Sequence, residues 1–284
     1  MRADQSNGEL NTRGSEPGEN GSLSRMRGDR RRDLIRELLL TVGEASIPDL
    51  AQRYGVSPMT IYRDLAELER QGVVRRSHGG VTVQPSAVFE SNVAFRIKAM
   101  QHEKDAIALE ARRLIEPGMS IILDDSTTSV AMAQQLGGIE PLTVLTNHLL
   151  ILRILSEFEG IRVIGLGGDY DSKYDSFVGL SCIAALQDSR VDMAFMSAYG
   201  ISQGQVFHQD QHIVSIKRAM VASAQQKILL ADHTKIQRVA LHRVCALTSF
   251  DLVIVDEALD TGLRHELEDY KVPYRLAPMA TRSP

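Results

Sequence analysis

Hydrophobic positions along the chain follow one period up to about residue 115 and a different one afterwards. Leu34, Ile35, Leu38 and Leu39 share one face of a helix that Gly43 ends. Ile47 and Leu50, with Ala51 and Tyr54 alongside, form a second, shorter face. Ser46 is placed to cap that helix, and Gly55 to close it in the left-handed conformation that only glycine takes cheaply. Ser57 and Pro58 then supply an N-cap and a first helical residue, and Ile61, Leu65 and Leu68 recur at helical spacing behind them. The spacing predicts two helices and a tight turn within Leu50–Gly72. After Gly72, two β-prone runs, VVRR and VTV, flank Ser-His-Gly-Gly and predict a hairpin. Residues 89–115 are helix-compatible, with a stripe of Ile107, Ala108, Ala111, Leu114 and Ile115 that Pro117-Gly118 ends.

From Met119 onward short apolar runs replace the helical faces: SIILDD, LTVLTN, IRVIGLGG, VDMAFMSAYG, KILLAD and LVIVD. Helical stretches such as SVAMAQQL, HLLILRILSEF, GLSCIAALQD and HIVSIKRAMVASAQQ separate most of them. Strand and helix in alternation predict a largely parallel sheet covered by helices. The expected architecture is therefore α/β: an N-terminal winged helix-turn-helix at 25–83, a linker and connecting helix at 84–118, and a larger α/β sensor domain with a mostly parallel sheet at 119–284. Residues 1–24 are rich in Gly, Ser, Asn and Glu and nearly free of aliphatic residues, a composition that predicts a disordered tail.

Charge sharpens this division. Residues 25–85 hold eleven arginines against eight acidic residues, while 86–284 hold 19 basic against 24 acidic. A mildly basic N-terminal part on an acidic remainder fits one DNA-facing domain and one that faces something else. Cys182 and Cys245 lie far apart in apolar-leaning sequence and read as buried thiols of a reducing compartment. No apolar run approaches the roughly 20 residues of a membrane helix, and no secretory h-region opens the chain, so a cytoplasmic protein is expected.

In a helix-turn-helix the N-terminal end of the second helix enters the major groove. That end carries Ser57, Pro58, Met59, Thr60, Tyr62 and Arg63. Arg63 is the candidate for a base contact, and Thr60 or Tyr62 for phosphate or a thymine methyl. Asp64, Glu67 and Glu69 follow, and carboxylates sit badly on phosphates, so only the first turns are expected to touch DNA. Arg31, in the cluster with Arg27, Arg30 and Arg32, reads as a phosphate contact or a solvated helix start. Arg75, Arg76 and His78 of the hairpin would reach phosphates or the minor groove, His78 equally well as a turn residue. The stretch DLAQRYGVSPMTIYRDLAELERQGVVRRSHGGV resembles the winged helix-turn-helix of the DeoR family of bacterial transcription regulators over residues 31–83. Tyr62 stands where that family usually has a second arginine.

In the second half, each strand-like run ends in polar or glycine residues, and in open α/β sheets ligands bind outside the carboxyl ends of the strands. Asp124, Asp125, Ser126, Thr127, Thr128, Asn147, Gly168, Tyr199, Gly200, Asp232 and Lys235 converge there on sequence grounds, with Lys217 near. Hydroxyls and free N–H groups at a strand-to-helix junction suit phosphate, lysines neutralise it, and Asp and Asn take sugar hydroxyls. Ser126 and its neighbours also read as plain helix caps. Residues 119–256, through ILDDSTT, LTVLTN, GLGG, AYGIS, IKRAM and LADHTK, are similar to the DeoR-type effector domain, whose fold resembles ribose-5-phosphate isomerase. The resemblance implies a phosphorylated sugar or similar metabolite as effector and a repressor of carbohydrate-metabolism genes. Paired half-sites on a double-stranded DNA operator imply a homodimer or homotetramer. A sugar-phosphate isomerase-like enzyme is the rival reading, resting on Asp124, Asp125, Asp232 and Lys235. His208 and His212, four apart, are a weak metal pair, and Gly165-Leu166-Gly167-Gly168 lacks the dinucleotide-binding spacing; no metal, cofactor or membrane partner is expected.

Overall fold

The computed structural model describes residues 28–42, 44–70, 73–77, 80–83 and 93–279. The tail at 1–24, Pro85 and His78 lie outside these. Tertiary contacts divide the chain between residues 85 and 86 into two compact units. It is an α/β protein: a winged helix-turn-helix, then a larger unit on a seven-stranded parallel sheet.

The first unit runs α1 (Gly28–Val42), β1 (Glu44–Ser46), α2 (Ile47–Tyr54), α3 (Pro58–Arg70), β2 (Val74–Ser77) and β3 (Gly80–Val83). Ile35, Leu39, Ile47, Leu50, Tyr54, Ile61, Leu65 and Leu68 meet in its core, as their helical spacing requires. The Ser46 hydroxyl accepts from the Asp49 N–H at 3.2 Å, and Gly55 closes α2 at φ 61° with its N–H on the last carbonyls of the helix. The wing is the β2–β3 hairpin, paired from Val74↔Val83 to Ser77↔Gly80. The sequence pattern does not predict β1. Three residues are too few to show alternation, and their pairing with β3 (Ala45↔Val81) is made across the fold.

The second unit opens with α4 (Val93–Lys98) and α5 (Gln101–Arg112). One connecting helix was expected here. It is broken at Met100, which takes a left-handed φ of 52°, and the buried Lys104 ammonium donates to the carbonyls of Arg96 and Ala99 at the end of α4. Next come β4 (Ser120–Leu123), α6 (Thr127–Ala133), β5 (Leu142–Thr146), α7 (Leu149–Leu155) and β6 (Ile161–Gly165). A hairpin of β7 (Asp169–Asp171) and β8 (Ser176–Val178) follows, then α8 (Leu180–Gln187), β9 (Val191–Ser197), β10 (Gly200–Ser202) and β11 (Gln205–His208). The chain ends with α9 (Gln211–Ser223), β12 (Ala224–Ala231), β13 (His242–Ala246), β14 (Leu252–Asp256), α10 (Thr261–Asp269) and β15 (Tyr274–Ala277).

The main sheet has the order β15-β14-β12-β9-β4-β5-β6 and is parallel throughout. Strands buried on both faces read as continuous apolar runs. Ile121, Leu123, Phe195 and Leu230 pack toward α5, α6 and α7, while Ile122, Ala194, Met196 and Leu229 pack toward α8 and α9. A smaller antiparallel sheet, β10-β11-β13, adjoins the second layer. Because β5 and β6 lie on one side of β4 and all later strands on the other, the order reverses between β4 and β9. Open α/β sheets place their ligand crevice at such a reversal, outside the strands' carboxyl ends. Among the described residues no helix is long and apolar enough to cross a membrane.

Candidate functional site

Two surfaces carry chemistry, one in each unit. In the first, Ser57 caps α3 by accepting from the Thr60 N–H at 3.2 Å, and its hydroxyl lies 3.0 Å from that of Thr60. Pro58, Met59, Tyr62 and Arg63 stand exposed on the opening turns, with Met59 at 61% and Tyr62 at 42% exposure. An exposed apolar side chain beside an arginine is a composition that suits base edges in a major groove.

The structure corrects two readings of the first unit. Arg31 is buried, and its Nε donates to Asp64 Oδ2 at 2.6 Å, while Arg32 Nη1 reaches Asp64 Oδ1 at 3.3 Å. Arg31 is thus not a phosphate contact; it pins α1 to α3. Asp64, taken as an acid facing away from DNA, faces the core for the same reason. Glu67 and Glu69 are also committed, to Arg70 and to Arg76. Glu69 accepts from both the backbone N–H and the side chain of Arg76, which holds its carboxyl below the usual range and ties the wing to α3. Arg75 remains exposed on β2.

In the second unit the crevice is built around Asp124, which follows β4 and is fully buried. Its Oδ1 accepts from the Ser126 N–H (3.1 Å) and the Ser129 hydroxyl (2.7 Å). Its Oδ2 accepts from the Ser197 N–H (2.7 Å), at the end of β9, and from Lys217 Nζ (2.5 Å), on α9. Four donors, two from the start of α6 and one each from β9 and α9, saturate this carboxylate, so Asp124 does not take sugar hydroxyls; it locks the reversal point of the sheet. Lys217 likewise does not meet a ligand phosphate as a free cation. It is 3% exposed and lies 3.2 Å from Asp125 Oδ1 as well, in a second ion pair. Burial would drive the ammonium down, but the two carboxylates outweigh it and raise it. Burial would likewise raise Asp125, and Lys217 in turn holds it low.

The remaining polar groups face inward around this lock. Ser126 caps α6 through the Ser129 N–H at 3.1 Å, so capping is its observed role; Thr127 and Thr128 are buried beside it. Asn147 Nδ2 donates to the Phe177 carbonyl at 3.0 Å, and the β7–β8 hairpin hydrogen-bonds along the Asn147-His148 backbone. Among the described residues Asn147 Oδ1, His148 Nε2 and Ser176 Oγ are buried with no hydrogen-bond partner in the protein, and Asp125 Oδ1 has the Lys217 ammonium alone. Buried polar atoms are normally satisfied, so three such atoms at the carboxyl ends of the strands leave hydrogen-bonding capacity for water or a ligand. His148 Nδ1 accepts from the Leu150 N–H at 3.3 Å, which leaves the hydrogen on Nε2. His208, at the end of β11, accepts from the Asp210 N–H at 3.1 Å, and burial pushes its imidazole down to about 4. It belongs to a strand while His212 belongs to α9, so the two are not paired on one helix.

Asp232 caps the turn His233–Lys235 by accepting from the Thr234 N–H at 3.1 Å. Lys235, half-buried, stands 6.0 Å from the Tyr199 ring centroid, and Arg238 stacks on the same ring at 4.1 Å. The two glycines serve packing. A Cβ on Gly168 would lie 2.2 Å from the Val178 carbonyl oxygen, and one on Gly200 the same distance from that of Arg238.

Comparison with known proteins decides the family. The DeoR-like helix-turn-helix domain model matches residues 31–87, and the DeoR C-terminal sensor domain model matches 99–257. The chain belongs to the DeoR family of transcription regulators. Among relatives of this DeoR-family chain, the HTH-type transcriptional regulator YgbI of Escherichia coli is 35% identical over 229 residues, 81% of this chain and 90% of its own. The HTH-type transcriptional repressor GlcR of Bacillus subtilis is 34% identical over 201 residues, 71% and 78%. The glycerol-3-phosphate regulon repressor of Escherichia coli is 29% identical over 252 residues, 88% and 100%. Among solved structures, ribose 5-phosphate isomerase A of Methanocaldococcus jannaschii aligns with half of this chain and 56% of its own, at a TM-score of 0.36 and 16% identity. That likeness is too distant to assign chemistry.

Several residues of the DeoR-family pocket escape sequence reading. His148 follows the expected Asn147 directly and is visible as one more polar residue past a strand end. Tyr174, Ser176 and His208 have no such signal, because the β7–β8 hairpin and the small sheet that present them are not predicted.

Proposed function

We propose that this protein is a sequence-specific repressor of carbohydrate-metabolism genes, released from a double-stranded DNA operator by a phosphorylated sugar or related anionic metabolite. One observation carries the reading: a chain with an exposed α3 opening turn, fit for the major groove, also holds three buried polar atoms without a hydrogen-bond partner, those of Asn147, His148 and Ser176, past the strand ends of its sheet. The repressor names of GlcR and of the glycerol-3-phosphate regulon protein support it. Pro58, Met59, Thr60, Tyr62 and Arg63 would read bases and Arg75 a phosphate. Asp125, Thr127, Thr128, Asn147 and Asp232 would meet hydroxyl groups, and a cationic side chain of the sensor unit the anionic end. The protein would act in the cytoplasm as a homodimer or homotetramer, since two-fold operators pair with two-fold proteins.

Catalysis is not part of this reading. An isomerase needs a base within reach of a substrate carbon acid, and Asp124 is spent on four hydrogen bonds. The test pairs two measurements on the full-length chain with a panel of aldose and ketose phosphates. Thermal stabilisation by at least one compound, without turnover, is expected. Turnover at an enzyme-like rate would overturn the regulator reading, and no stabilisation by any compound would overturn the sensor half of it.

A further inference from the structure

α4 is the first described helix after the DNA-binding unit in chain order, and it packs against α6 within the sensor unit. It carries Arg96, whose guanidinium lies 5.6 Å from the Tyr174 ring centroid. That ring in turn faces His208, the centroids 5.7 Å apart. The Arg96 charge acts on Asp125, His148 and His208, the inward-facing groups of the pocket. Lys104, buried on α5, donates to the carbonyls of Arg96 and Ala99 and fixes the end of α4 where the guanidinium departs.

Charge shows why a cation is needed on this side. Lys217 is one ammonium for two buried carboxylates, Asp124 and Asp125, and burial keeps His148 and His208 neutral near pH 7. The floor of the pocket is therefore net negative. A phosphate monoester adds about −1.5 to −2. Lys235 and Arg238 flank Tyr199 past the end of β12. The Asn147-His148 edge lies past β5, three strand spacings away in the sheet, roughly 14 Å. Lys173 also faces Tyr174, at 4.8 Å, but its side chain is 45% exposed and pairs loosely with Asp210 at 3.8 Å.

We propose that Arg96 is an effector ligand: the helix that follows the DNA-binding unit lends its guanidinium to the anionic group of the bound metabolite, so pocket occupancy acts directly on α4. Lys104 is the positioning residue that holds α4 for this contact. The inference rests on the sensor reading of the same pocket. A bidentate guanidinium contact to phosphate is strong and directional, which suits a helix that must respond to a small ligand.

The test uses the full-length chain, its Arg96→Gln and Arg96→Lys variants, and a panel of aldose phosphates, ketose phosphates, glycerol 3-phosphate and inorganic phosphate. Binding is read by thermal shift and titration calorimetry, and α4 by hydrogen exchange over residues 93–104. The ligand that stabilises the wild type should bind Arg96→Gln at least tenfold more weakly and Arg96→Lys in between. It should slow exchange in α4 of the wild type but not of Arg96→Gln. Equal affinity in wild type and Arg96→Gln would overturn the inference and leave the sensor reading intact. Weaker binding with no ligand effect on wild-type α4 exchange would overturn the coupling. A wild type stabilised by no compound would overturn the sensor reading and this inference together. If Arg96→Gln melts early without ligand, Arg96→Lys and the wild-type exchange data still decide.

Discussion

Arg31 and Lys217 look alike in the sequence, cations beside functional segments, and the fold turns both inward onto carboxylates. Removing one member of a buried ion pair strands the other in a poorly solvating interior. Lys217→Ala leaves Asp124 and Asp125 without their cation, and a loss of about 3–5 kcal/mol in urea unfolding is expected; an unchanged midpoint would show that the lock is not structural. Arg63 is different, because it is exposed and makes no ion pair among the described residues. Arg63→Ala should weaken operator binding by about 1–3 kcal/mol with the fold unchanged. Equal operator affinity would remove Arg63 from the base-reading set. His208 makes stability depend on pH. Its folded value of about 4 lies below the ordinary 6.5, so the unfolded chain takes the proton first. The stability is fully present above pH 6.5 and drains away as pH falls through about 4. Over that window roughly 3 kcal/mol is at stake, and urea melts at pH 7 and pH 4.5 should show a smaller loss for His208→Gln than for the wild type.

Among the elements, the β7–β8 hairpin covers the Asn147-His148 edge of the pocket and depends on Gly168. That residue has φ +141°, and an added Cβ would meet the Val178 carbonyl oxygen. Gly168→Ala should destabilise the sensor unit by at least about 1–3 kcal/mol from backbone strain alone and weaken effector binding with it. Unchanged melting would mean that the hairpin tolerates displacement. The hairpin also shows where sequence reading stops. Six of the seven parallel strands were legible, the central ones because burial on both faces makes each a short apolar run, while the half-buried edge strand β15 was missed; α2 and α3 were legible because caps and helical spacing agree at Ser46, Gly55 and Ser57. β1, β7, β8 and β10 are three residues long, too short for any period. Their partners are set by pairing across loops. The break at Met100 was equally hidden, since it depends on where the Lys104 ammonium finds its carbonyls. At the site, sequence placed Asp125, Asn147 and Asp232 at strand ends correctly as a group. It could not tell Asp124, which takes four hydrogen bonds, from Asp125, which has Lys217 alone, because that difference lies in donors from the start of α6 and from β9.

For the whole molecule, the chain order places α4 between a DNA-binding unit and the proposed metabolite pocket, where Asn147, His148 and Ser176 hold buried polar atoms without a hydrogen-bond partner. A ligand shifts such a protein only by its differential affinity for the two conformations. The effector must therefore bind the DNA-free form more tightly, and the same free energy must appear as weakened operator affinity. The most direct measurement is a gel shift of the full-length protein on the DNA upstream of its own gene, repeated with each compound of the sugar-phosphate panel. A specific complex that one panel compound dissociates in a dose-dependent way is the predicted result. A complex unaffected by every compound that binds the protein, or no specific complex at all, would contradict the account.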